Sequence, residues 1–182
     1  MMITEANFFK IIRRVVALLL AVTLTACIED EVPTYESTTR VRVGEMAPDF
    51  TVEMLSGQSL TLSELRGDVV LLLFFSSWCP DCLAEMTQLD ERLAPFAERG
   101  FRLVAISRGE PRADIEQFRA EHGFGYDLGL DESRAIYERY ATRYVPRNFV
   151  IGRDGHVTAL TVEYDAEEFE ELMGHIDRIT QE

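Results

Sequence analysis

The chain has 182 residues, 47% of them hydrophobic and 27% charged, enough for one domain with a sizeable core. Its net charge of −14 supplies no basic footprint, which argues against nucleic-acid binding. Lys10 is the single lysine among 18 basic residues, and the acidic excess reads as a solvated surface.

The start does not read as part of the fold. Lys10, Arg13 and Arg14 form a positive region, and Val15 to Ala26 is a 12-residue apolar or small run with only Thr23 and Thr25 polar. That is short for a bilayer span and suits a secretory signal. It ends in Leu24-Thr25-Ala26-Cys27, which resembles a bacterial lipobox. The resemblance implies cleavage before Cys27 and a lipid on its sulfur, with an ordinary signal peptide or an uncleaved anchor as alternatives. Three cysteines leave one odd in an exported protein, and lipid on Cys27 leaves Cys79 and Cys82 as a pair. Removing residues 1–26 takes Lys10, Arg13, Arg14 and Glu5 from the 18 basic and 32 acidic residues, leaving 15 and 31, a net −16. So acidic a chain does not hold to an anionic membrane by charge, so acyl chains have to hold it. The expected layout is a signal peptide over 1–26, an acidic flexible tether over 27–43, and a domain over 44–182 in the bacterial envelope, outside the cytoplasm, where disulfides form.

The domain opens with Gly44-Glu45-Met46-Ala47-Pro48-Asp49-Phe50. A hairpin is expected from Phe50 to Met54 and Ser59 to Leu62, turning at Ser56-Gly57-Gln58. A short helical turn capped by Ser63 follows. Val69 to Phe75 is an unbroken apolar run that reads as a strand buried on both faces. Leu83, Met86, Leu89, Leu93 and Phe96 then recur at helix spacing, and Gly100 fits a helix C-terminus. Further on, Phe101 to Ser107 reads as a strand, Asp114 to His122 and Asp131 to Tyr144 as helices, and Asn148 to Ile151 as a strand. A tight turn at Gly152-Arg153-Asp154-Gly155 leads into a paired strand, His156 to Val162. Asp165 caps a last helix reaching about Ile179. The order gives a mixed α/β sheet flanked by helices.

Between the buried strand and the first long helix lies Trp78-Cys79-Pro80-Asp81-Cys82. Backbone N–H groups at a helix start lack helical partners and the dipole is positive there, which stabilises a thiolate. Two intervening residues let the second sulfur reach the first. Pro80 suits the first helical turn, and the carboxylate of Asp81 opposes a neighbouring thiolate while favouring the dipole. A zinc half-site lacks its second ligand pair, and an inert structural disulfide is the other alternative.

This stretch resembles the thioredoxin-fold active site, and with the Gly44–Phe50 opening the chain from about 44 to 180 is similar to redoxin and TlpA-like domains. The resemblance implies a thioredoxin fold with an extra N-terminal hairpin and an insertion around 108–143, before the cis-proline strand. It implies a thiol–disulfide oxidoreductase with no metal or organic cofactor. Cys79 would be the attacking cysteine and Cys82 the resolving one. Thioredoxin carries a buried aspartate six residues before its first cysteine, where this chain has Leu73; TlpA-like proteins carry a glutamate where this chain has Glu85, a candidate acceptor for the Cys82 proton. Val145-Pro146 falls where such proteins hold a cis-proline facing the cysteines, so Trp78, Pro80, Val145 and Pro146 are expected to meet substrate. Arg147-Asn148 departs from the Thr-containing form usual there, and Thr87 replaces a helix proline. Clients would carry disulfides, apocytochrome c among them, and electrons would come from a membrane thiol carrier. Reduction is the expected direction. The alternatives are a disulfide donor, a non-catalytic binding lipoprotein, and a peroxiredoxin-like peroxidase; the last needs a proline where Leu72 stands.

Overall fold

Seven consecutive apolar residues cannot all face one side of a sheet, so Val69–Phe75 needs cover on both. In the computed structural model, which describes residues 32–182 together with Lys10 and Arg13, this strand has it. Val69, Leu71, Leu73 and Phe75 pack into one core; Val70, Leu72 and Phe74 pack into another on the opposite face. All seven are at most 2% exposed.

The elements in order are α1 (Tyr35–Thr38), β1 (Thr51–Met54), β2 (Ser59–Thr61), β3 (Val69–Phe75), α2 (Pro80–Arg92), β4 (Phe101–Arg108), α3 (Arg112–His122), β5 (Leu128–Asp131), α4 (Tyr137–Tyr140), β6 (Arg147–Ile151), β7 (Val157–Val162) and α5 (Ala166–Thr180), with 3-10 turns at Leu62–Leu65 and Ala94–Arg99. They form a seven-stranded sheet in the order β2-β1-β5-β4-β3-β6-β7. β3 pairs parallel to β4 and antiparallel to β6, while the hairpin β1–β2 joins the edge through β5. This is a thioredoxin fold carrying the expected extra hairpin. Among the described residues, no helix is long and apolar enough to cross a membrane.

Four expectations change. The helix expected over 131–144 is a strand end, a turn and the single helical turn α4. Asp131 closes β5, and its carboxylate accepts from the Ile136 and Tyr137 N–H groups at 3.0 and 2.8 Å. That side-chain capping competes with a continuous helix, and Arg134 turns to φ 65°. β5 was hidden because it is short and contains Gly129. A Cβ there would meet Val52 at 3.0 Å and Ile106 at 3.1 Å, so any larger residue would have to push both side chains aside. The active-site helix stops at Arg92, since Pro95 has no N–H to continue it, and a 3-10 turn runs on to Arg99. Ser63 does not cap its turn: Thr61 precedes it, and the Ser63 N–H donates to Asp49 at 2.9 Å.

The fourth concerns the tether. The compact unit begins at Thr34, not at residue 44. Thr38 and Val41 are buried, Thr39 bridges to Ala141, and the Arg40 N–H donates to the Tyr140 carbonyl at 2.9 Å. Polar, acidic composition suggests a lack of fold, but this strap satisfies its backbone by pairing with the domain. Apart from Lys10 and Arg13, the signal region lies outside the described residues, as do Cys27 and the acidic run after it.

Candidate active site

β3 ends at Phe75, and Cys79 is the residue that caps α2. Its backbone is extended (φ −92°, ψ 111°), and its Sγ accepts from the Cys82 N–H at 3.2 Å. Pro80 occupies the first helical turn and Asp81 is exposed beside it. Both cysteines are thiols. Cys79 is 7% exposed and Cys82 fully buried, so Cys79 faces the surface and Cys82 sits one turn deeper. Burial, together with the neighbouring Cys79 sulfur, pushes the Cys82 thiol far above its ordinary range.

β6 supplies the facing wall. Its register against β3 sets Arg147 opposite Phe74 and Asn148 opposite Leu73, so the residues just before β6 arrive across from the cysteine turn. The Val145–Pro146 peptide bond is cis. Cys79 Sγ lies 3.6 Å from the Val145 carbonyl oxygen. A groove of about 490 Å³ opens here, lined by Trp78, Cys79, Pro80, Asp81, Tyr144 and Val145 with several arginines. Trp78 is 68% exposed, whereas Pro146 is buried behind the groove wall.

Glu85 lies on the inner face of α2, one turn from Cys82, and is 1% exposed. Burial raises its carboxyl to about 7, partly opposed by Asn148, whose Nδ2 donates to Glu85 Oε1 at 2.6 Å. The same Nδ2 lies 2.9 Å from Thr161 Oγ1. A carboxyl that titrates near neutrality beside a buried thiol is suited to take that thiol's proton.

Three features went unread in the sequence. Asn148, noted only as a departure from the usual pattern, orients Glu85. Glu110, buried at the end of β4, accepts from the Ser77 N–H at 2.9 Å and from the Ser77 hydroxyl, fixing the turn before Cys79. Arg147 is fully buried next to the cis-proline and is held by the strap: its guanidinium donates to the Arg143 carbonyl at 2.8 Å, to Thr38 Oγ1 at 3.4 Å, to the Tyr35 carbonyl at 3.5 Å and to Thr39 Oγ1. A charged residue at the start of an otherwise apolar strand was the available signal. Its strap partners lie more than 100 residues away, so no local pattern names them.

Comparison with known proteins agrees with this geometry. Residues 43–160 match the AhpC/TSA family. The thiol–disulfide oxidoreductase ResA of Halalkalibacterium halodurans is 30% identical over 136 residues, covering 72% of this chain and 77% of that protein. A solution structure from Bacteroides thetaiotaomicron, described as a candidate protein disulfide isomerase, shares 40% identity at a TM-score of 0.75, covering 80% of this chain and 94% of that one. A crystal structure from Chlorobium tepidum, described as a candidate thiol:disulfide interchange protein DsbE, shares 26% at 0.72, covering 77% and 99%. The chain therefore belongs to the AhpC/TSA family of redoxins and is a thiol–disulfide oxidoreductase.

Proposed function

We propose that this protein reduces disulfides of exported client proteins through Cys79 and Cys82 while a lipid on Cys27 holds it at an envelope membrane. The observation that carries the reading is Glu85: a buried carboxyl near pKa 7, one turn from a deeply buried thiol. Cys79 thiolate attacks one sulfur of the client disulfide, forming a mixed disulfide and releasing the first client thiolate. Cys82 gives its proton to Glu85 and attacks Cys79 Sγ, releasing the second client thiolate and closing the Cys79–Cys82 disulfide. Two electrons pass to the client, and a membrane dithiol carrier restores them. The backbone at Val145–Pro146 aligns the client as an added strand. Apocytochrome c thiols are the client class that the TlpA-like resemblance implies. A peroxidase reading is disfavoured by Leu72, an apolar core residue at the place where that chemistry needs proline.

The test is the equilibrium potential of the cysteine pair, measured with its redox state in cells. A value near −270 mV and a largely reduced pool are expected, as for thioredoxin. A value near −120 mV with an oxidised pool makes the protein a disulfide donor. Anchoring is read separately: the N-terminal peptide of the mature protein should begin at Cys27 and carry the mass of a lipid, and an unmodified peptide refutes it.

A further inference from the structure

Five arginines away from the groove sit in ion pairs: Arg92 with Glu170, Arg99 with Asp177, Arg102 with Asp68, Arg112 with Glu53, Arg119 with Asp127. Three others, Arg108, Arg134 and Arg143, line the groove beside Cys79. Among the described residues, Arg108 and Arg143 have no carboxylate at ion-pair distance, and Arg134 reaches only Glu138, at 3.9 Å. All three stack on tyrosine rings. The Arg108 and Arg134 guanidinium carbons lie 5.0 and 5.8 Å from the Tyr137 ring centre, and that of Arg143 lies 5.9 Å from the Tyr144 ring centre. Stacking fixes the plane of a guanidinium while leaving its edge able to bind a carboxylate in two-point fashion. The groove's own acids are Asp81 and Glu163, and Glu163 is engaged by the Tyr35 hydroxyl. In a chain of net −14, this leaves a locally cationic cleft at the reactive sulfur.

We propose that this groove selects clients whose reactive cysteine is flanked by acidic residues: an extended peptide segment with Asp or Glu side chains placed on Arg108, Arg134 and Arg143. The inference rests on Cys79 being the attacking sulfur, and it adds the substrate class. The net negative charge of the chain disfavours acidic segments elsewhere, so charge also favours one orientation.

The test uses the reduced full-length protein and three disulfide peptides identical except for two flanking residues, Glu, Gln or Lys. At low salt the Glu peptide should be reduced about tenfold faster than the Gln peptide, and the Lys peptide more slowly than either. The advantage should shrink to less than about threefold at 0.5 M salt, where the screening length is only a few ångströms. In R108Q/R143Q the Glu-to-Gln ratio should fall to near one. A ratio near one in the unaltered protein, or one that survives the double substitution, overturns the proposal. So does glutathione disulfide reacting faster than the Glu peptide, which would make the occupant a small carboxylate-bearing disulfide. Trp78, the single tryptophan, lines the groove and reports binding without any redox step. Titrating its fluorescence with the serine-substituted Glu peptide should show saturable binding at least fivefold tighter than the Gln form, even if the disulfide chemistry is assigned wrongly. Equal binding of the two forms overturns the proposal.

Discussion

Cys79→Ser is expected to abolish disulfide exchange, lowering the rate by at least about 10³-fold as for loss of a covalent nucleophile. Cys79 is the sulfur that borders the groove, lies 3.6 Å from the Val145 carbonyl and accepts the Cys82 N–H. Serine keeps the N-cap interaction, so the helix start should survive and the loss should be chemical. Cys82→Ser should behave differently. The attack still occurs, but no second sulfur follows, and clients should accumulate as mixed disulfides on Cys79. Non-reducing electrophoresis with mapping of the linked peptide checks both. Clients recovered on Cys82 in the Cys79→Ser protein would reverse the assignment.

Glu85→Gln should slow the resolving step by about 10²-fold at pH 7, the ordinary worth of a positioned general base. The first attack needs no proton acceptor at this position. Stopped-flow measurement should therefore find a normal burst of mixed disulfide followed by slow release, and the wild-type inflection near pH 7 should vanish from the second phase. Equal slowing of both phases would assign Glu85 a purely structural part.

The same substitution has an opposite sign in stability. The folded-state value of about 7 lies above the ordinary 4.5, so between these values the native state binds more protons than the unfolded chain. Stability attributable to this group is therefore full below pH 4.5 and declines as pH rises towards 7. The shift corresponds to about 3 kcal/mol. Glutamine cannot ionise, and its Oε1 can still accept from Asn148. Denaturant unfolding should show Glu85→Gln close to wild type at pH 4.5 and more stable at pH 8, by on the order of 1–3 kcal/mol. A pH-independent difference would contradict the buried-carboxyl account. Slower catalysis with greater stability is the expected signature of a group kept for chemistry at a cost to the fold.

Several features were legible in the sequence because their signals are local. Seven apolar residues in a row give a twice-covered strand, and a helical period after Cys82 gives the helix that the cysteine pair begins. Glu85 falls on the face of Cys82 because residues three apart on a helix are neighbours. Gly152 to Gly155 marks a turn by composition alone. Asp165 caps α5 with its carboxylate accepting from two N–H groups, as its position ahead of an amphipathic stretch implied.

Other features depend on partners far along the chain. β5 forms only because β1 and β4 flank it, and its glycine, a mark against a strand locally, answers the close approach of Val52 and Ile106. The strap over 34–43 has no apolar period, yet it folds because Ala141, Tyr140 and Thr142 offer backbone partners. Arg147 is tolerated in the interior because strap oxygens and the Arg143 carbonyl accept from its Nη1 and Nη2, although its Nε is buried without an acceptor. Local composition and period thus determined the strand–cysteine–helix unit and its chemistry. The sheet register alone decided what faces it: Asn148 on Glu85, Val145 on Cys79, and the cluster of arginines around the groove.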